Sequence, residues 1–120
     1  MKSANVIIIG AGPVGTFAAY CLAEYGIDTL VLESETTCET DMRASTFHPS
    51  TLKYLDNLDL ANELIERGLK APIFQYRIRS TDEVLEFDLQ ELDDVLDFPF
   101  RLQCEQYKFA RMLAEMLDNH

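Results

Sequence analysis

The chain has 120 residues, enough for one modest domain, and 48% of them are hydrophobic and 26% charged. That is globular composition, not that of a disordered or fibrous chain. Its 21 acidic residues against 10 lysines and arginines give a formal net charge of −11, which argues against nucleic-acid and polybasic membrane partners. No apolar run approaches the roughly 20 residues of a membrane helix, and no charged-then-apolar leader precedes the first strand-sized run.

In chain order, Asn5 to Ile9 carries a β-branched run without polar alternation, the pattern of a parallel strand buried on both faces. Gly10-Ala11-Gly12-Pro13-Val14-Gly15 follows at once. Thr16 to Tyr25 then reads as a helix stopped by Gly26, and Asp28 to Leu32 as a second buried strand. Strand, glycine turn, helix and strand make one βαβ unit. Glu33 to Thr46 reads as a polar loop. Pro49 suits the first turn of a helix that carries Leu52, Leu55 and Leu58 on one side, and Leu60 to Arg67 reads as another helix stopped by Gly68.

Ile73 to Ser80 and Val84 to Leu89 alternate apolar and polar residues. Folding back at Thr81-Asp82 pairs Ile78 with Leu85, Tyr76 with Phe87, and Arg77 with Glu86, an antiparallel hairpin with one solvated face. The acidic residues from Asp82 to Asp97 then belong to that face and the loop after it, and not to a metal site. Gln103 to Leu117 closes the chain as an amphipathic helix with Phe109, Ala110, Leu113, Met116 and Leu117 on one face. Gln106 shares that inward face near the helix start. The fold class is therefore α/β: a Rossmann-like βαβ unit with an added hairpin and an incomplete doubly wound sheet.

Cys21, Cys38 and Cys104 are odd in number, widely spaced and without a CxxC pair. They form no disulfide framework, zinc site or redox motif and read as small residues in a reducing, cytoplasmic compartment.

The glycine turn follows a buried strand and opens a helix, the context that a dinucleotide site requires. Gly10 permits the tight turn, Gly12 lets the backbone approach a pyrophosphate, and Gly15 lets the helix pack close to the strand. The amides at that helix start point at the ligand and the helix dipole favours its negative charge, so Ala11, Pro13 and Val14 join the three glycines as cofactor-binding candidates. Glu33, ending the second strand, can accept both hydroxyls of an adenosine ribose and would repel a 2′-phosphate.

IIIGAGPVG, TLVLE, MRASTFHPSTLKYL and CEQYKFARML resemble, in this order and over nearly the full chain, the flavoprotein aromatic hydroxylases, the group of para-hydroxybenzoate and phenol hydroxylases. The resemblance implies FAD as cofactor, with Glu33 on its ribose, Arg43 beside its phosphates, and Gln106, of the pattern completed by Arg111 and Leu113, at the ribityl and phosphate region. Some members carry a further basic residue where Met42 stands, which implies a weaker grip on the phosphates. In the whole enzyme the family's chemistry uses NAD(P)H and oxygen to place one oxygen atom on a phenolic ring.

Later segments of that family, a second aspartate-glycine block and a substrate-binding sheet, do not occur by residue 120. The chain therefore reads as the N-terminal part, 1–120, of an FAD-binding domain. No residue in it stands out as a catalytic acid or base; His48, before Pro49, reads as a turn or cap. Two other readings share the glycine turn: the Rossmann half of an NAD-linked or other FAD-dependent oxidoreductase, and a noncatalytic remnant. The hairpin and the Arg43 and Gln106 blocks argue against the NAD-linked one.

Overall fold

The computed structural model describes residues 3–36 and 43–118. Cys38 and Met42, singled out above, lie outside them. The chain forms two compact units, one of residues 1–44 and 105–120 and one of residues 45–104.

In the first unit, strands β1 (Val6–Ile9) and β2 (Thr29–Leu32) pair in parallel, Val6 opposite Thr29 and Ile9 opposite Leu32. Helix α1 (Pro13–Glu24) connects them. It ends in a left-handed residue, Gly26 at φ +68°, and the Ile27 amide donates back to the Leu22 carbonyl at 2.9 Å. Only glycine adopts that conformation without a Cβ penalty, so Gly26 stops the helix as its position suggested.

Helix α4 (Gln106–Leu117) packs beside α1, and Phe17 meets Phe109 with ring centroids 6.0 Å apart. Near the other ends of both helices, Ala19, Ala23 and Leu117 line a shared open pocket with Thr29 and Val31. The two helices therefore run in the same direction, with both N-termini at one end of the unit.

One expectation for β1 fails. Ile7 is 59% exposed and Ile9 87% exposed, so the strand is covered on one face only. A β-carbon at Gly15 would lie 3.3 Å from the Ile8 side chain, which places α1 on the Ile8 face. Strand residues alternate sides, so Ile7 and Ile9 point the other way. An unbroken apolar run carries no alternation to reveal this.

The second unit holds helices α2 (Pro49–Asp56) and α3 (Ala61–Glu66) and a three-stranded antiparallel sheet. The sheet has order β3 (Thr46–Phe47), β7 (Arg101–Gln103), β4 (Leu69–Ala71). Leu52, Leu55, Leu60, Leu64, Leu102 and Cys104 form its buried core. These three short strands were not legible in advance. Thr46 fell in the expected loop and Gln103 in the expected final helix, because segments of two or three residues show no periodicity.

Strands β5 (Ile73–Ile78) and β6 (Glu83–Asp88) form the expected hairpin in a corrected register. Phe74 faces Phe87, Tyr76 faces Leu85 and Gln75 faces Glu86, two positions away from the pairing anticipated. The Thr81 amide donates to the Ile78 carbonyl at 3.2 Å and Asp82 takes φ +56°, so the turn centres on Ser80-Thr81. A two-residue slip keeps each residue on its own face but changes every partner. The anticipated Arg77–Glu86 pair becomes Gln75 Nε2 donating to Glu86 Oε2 at 2.6 Å, with Arg77 donating to Gln75 Oε1. After β6, residues Leu89–Leu92 make a single 3-10 turn, and Asp97 further along pairs with Lys53.

Gly68 is closely packed in this unit. A β-carbon there would lie 2.7 Å from the Gln103 carbonyl oxygen and 2.8 Å from the Cys104 β-carbon. Gly68→Ala should therefore cost about 1–3 kcal/mol through overpacking, read as a lowered urea midpoint with an unchanged slope.

Candidate dinucleotide site

The anticipated site residues all lie in the first unit. The three glycines of the turn have three different reasons. Gly10 sits at φ +101°, outside the range of ordinary side chains, while its amide donates to the Leu32 carbonyl at 2.7 Å. Gly15 leaves no room: a β-carbon would lie 1.9 Å from the Gly10 carbonyl oxygen.

Gly12 needs neither excuse. Its φ of −69° and ψ of −178° suit any residue, and a β-carbon there would meet nothing within 4 Å. It stands at the N-cap of α1 and offers no side chain to the first-turn amides. Pro13 has no N–H to satisfy and presets the helix. The amides of Val14 and Gly15 are therefore left for an outside acceptor, and the Val14 side chain is 80% exposed beside them.

Glu33 follows β2 directly and ties that strand to the turn. Its Oε2 accepts the Ala11 amide at 2.6 Å, and its Oε1 accepts the amides of Ser34 at 2.7 Å and Glu35 at 3.0 Å. Those amides, led by Glu35 and Ala11, hold the carboxyl down at about 2, below its ordinary 4.5. The group is exposed and ionised at neutral pH. A carboxylate has about four acceptor positions. Oε2 therefore keeps one for a ligand hydroxyl.

Two contributors escaped the reading of the sequence. The Thr16 hydroxyl, buried under the turn, donates to the Gly12 carbonyl at 2.9 Å and fixes the peptide that a ligand would meet. A threonine one turn into a helix commonly bonds back in this way, which is the signal that was available. Ser34 supports Glu33 with its amide, and its hydroxyl lies 3.3 Å from Oε1. Nothing in its residue type announces that.

Gln106 is the first residue of α4, and its amide donates to the Ala44 carbonyl at 2.9 Å. That bond places Arg43, one residue earlier and exposed, at the start of α4. Residues distant in sequence are thus neighbours. Preceding Gln106, the Glu105 carboxylate receives Lys108 at 2.6 Å, which lowers its pKa and balances a negative charge at this helix start.

An open glycine at a helix N-terminus, uncapped amides and a carboxylate with a spare acceptor fit a pyrophosphate and a ribose side by side. Comparisons with known proteins agree with that fit. The family model described as FAD binding domain matches residues 3–120. The 6-hydroxy-3-succinoylpyridine 3-monooxygenase of Pseudomonas putida is 36% identical over 113 residues, which are 94% of this chain and 29% of that protein. The para-nitrophenol 4-monooxygenase of a Pseudomonas species is 29% identical over 94% of this chain and 28% of its own length. The crystal structure of p-nitrophenol 4-monooxygenase from Pseudomonas putida superposes with a TM-score of 0.87 at 30% identity, over 95% of this chain and 29% of that one. The chain thus spans less than a third of these relatives. With the glycine turn, the Glu33 tie and the family match in agreement, the chain belongs to the FAD-binding domain family found in flavin-dependent aromatic monooxygenases.

Proposed function

We propose that the chain binds the ADP half of FAD as the N-terminal part of a monooxygenase that hydroxylates a phenolic ring with NAD(P)H and oxygen. Gly12 carries the reading. Neither its backbone angles nor its packing requires glycine, so the space above it serves a ligand. The amides of Val14 and Gly15 would hold the pyrophosphate with the α1 dipole behind them. Glu33 Oε2 would accept a ribose hydroxyl, and Gly10, Ala11 and Pro13 shape the turn. Arg43 would face the phosphates and Gln106 the ribityl region. Bound FAD supplies the redox chemistry; these residues supply position and exclude water.

The substrate class follows the relatives, named for a hydroxypyridine and a nitrophenol. Among the described residues no helix is long and apolar enough to cross a membrane. Cys104 is buried with its thiol donating to the Arg67 carbonyl at 3.7 Å, and burial pushes the Cys21 thiol upward, which disfavours its thiolate and supports a reducing, cytoplasmic location.

Flavin titration tests the site in the intact protein. Gly12→Val should fold, because a β-carbon there meets nothing within 4 Å and the backbone angles suit any residue, yet lose FAD binding by about a hundredfold or more through collision with the pyrophosphate. Retained stoichiometric flavin would move the phosphates elsewhere. Glu33→Ala should weaken FAD by about tenfold or more, since it removes a charged acceptor. It should also lower the apoprotein's melting temperature.

The pH dependence of that second effect has a definite sign. The folded-state value near 2 lies below the ordinary 4.5. The stabilisation is therefore complete above pH about 4.5 and fades as pH falls towards about 2. The melting-temperature gap between wild type and Glu33→Ala should be flat at neutral pH and close across that acid window. A gap that widens in acid would contradict the tie to Ala11.

A further inference from the structure

The turn that opens α1 contains one residue that packing does not hold. At Gly12 a β-carbon would meet nothing within 4 Å, and no side chain caps the helix there. Pro13 keeps Gly12 extended, at ψ −178°, but leaves its φ free to take either sign, because glycine has no β-carbon. The restraint comes from Thr16. Its amide and its hydroxyl each donate to the Gly12 carbonyl at 2.9 Å. Thr16 is 3% exposed, the one buried polar residue among the described residues.

A buried hydroxyl needs an acceptor, and threonine in a helix often bonds back one turn. That habit explains why Thr16 donates; the place where it donates gives the bond its consequence. A carbonyl oxygen has two acceptor positions. With both filled, the Gly12 carbonyl is held along the helix and offers nothing on the ligand side, where a bare acceptor would repel a phosphate. The peptide that leads to the Val14 and Gly15 amides is fixed with it. The Pro13 carbonyl, 3.4 Å from the hydroxyl, is the weaker acceptor. A β-branched side chain has restricted rotamers, so the hydroxyl stays on its target.

We propose that Thr16 is a positioning residue for the FAD pyrophosphate. Its hydroxyl sets the Gly12–Pro13 peptide in the binding geometry before the ligand arrives, so that this glycine need not be ordered on binding. The inference rests on the proposed placement of the pyrophosphate above Gly12. Buried beneath the turn, Thr16 touches no phosphate and acts through Gly12.

Calorimetric titration of the intact apoprotein with FAD, ADP and adenosine tests this. Thr16→Val keeps the shape and removes the donor. It should raise the dissociation constants of FAD and ADP alike, by about five- to tenfold, and leave that of adenosine within about twofold. Thr16→Ala, which favours the helix, should show the same split even if the valine variant does not fold. Thr16→Ser restores the donor and should return ADP to within about threefold of wild type. A general loosening of the domain would weaken adenosine as much as ADP. Equal losses for those two ligands, a serine variant no better than valine, or a folded Thr16→Val that binds ADP as wild type does, each overturns the proposal. If wild type binds FAD and ADP and the hydroxyl proves silent, only this inference falls. If wild type binds neither, the pyrophosphate placement falls, and this inference with it.

Discussion

The closeness of Gly15 to the Gly10 carbonyl is the constraint on which the site depends. With a would-be β-carbon 1.9 Å from that oxygen, α1 can start only if residue 15 is glycine. Pressing the helix onto the turn aims its first amides outward beyond the end of β1. Gly10 then turns through a left-handed angle to reach the helix, and its amide remains tied to the Leu32 carbonyl. Glu33, one residue beyond Leu32, is brought within reach of Ala11. Strand, turn and carboxylate therefore form one rigid corner. Loss of any member loosens the others, which is why Glu33 has a structural duty as well as a proposed ligand duty.

The second unit is an excursion between two parts of the first. The chain leaves after Ala44 and returns at Glu105. Two backbone bonds close the excursion: Cys104 to the Ser45 carbonyl at 2.8 Å, and Gln106 to the Ala44 carbonyl at 2.9 Å. Each lies within its own unit. The second of them keeps the start of α4 beside Ala44, and with it Arg43. The parallel packing of α1 and α4 also brings both helix N-termini to one end of the first unit.

The two units handle charge differently. In the first, Glu33 accepts three backbone amides and Glu105 receives Lys108. In the second, Arg101 rests on an aromatic ring with an unsatisfied Nε, while the neighbouring β6 acids are engaged on their own. A strongly acidic chain has ample means to pair an arginine.

Local chemistry determined much of this from sequence. The glycine turn, the proline at the first position of α2, the Gly26 stop and the carboxylate after β2 each express a steric or electrostatic demand met by near neighbours in the chain, whereas α1 begins at Pro13, three residues before the Thr16 start that the pattern suggested. The resemblance to aromatic hydroxylases added Arg43 and Gln106, whose proximity no spacing could establish. Tertiary structure alone decided the rest. The three-stranded sheet joins segments too short for any periodicity, and its strands exist because Leu102 and the α2 and α3 leucines need a common core. The hairpin register depended on which residues adopted the turn, not on the alternation, which tolerates a slip of two. The open face of β1 was hidden because a run of isoleucines looks the same to both sides of a sheet, and only the packing of α1 against Ile8 distinguishes them.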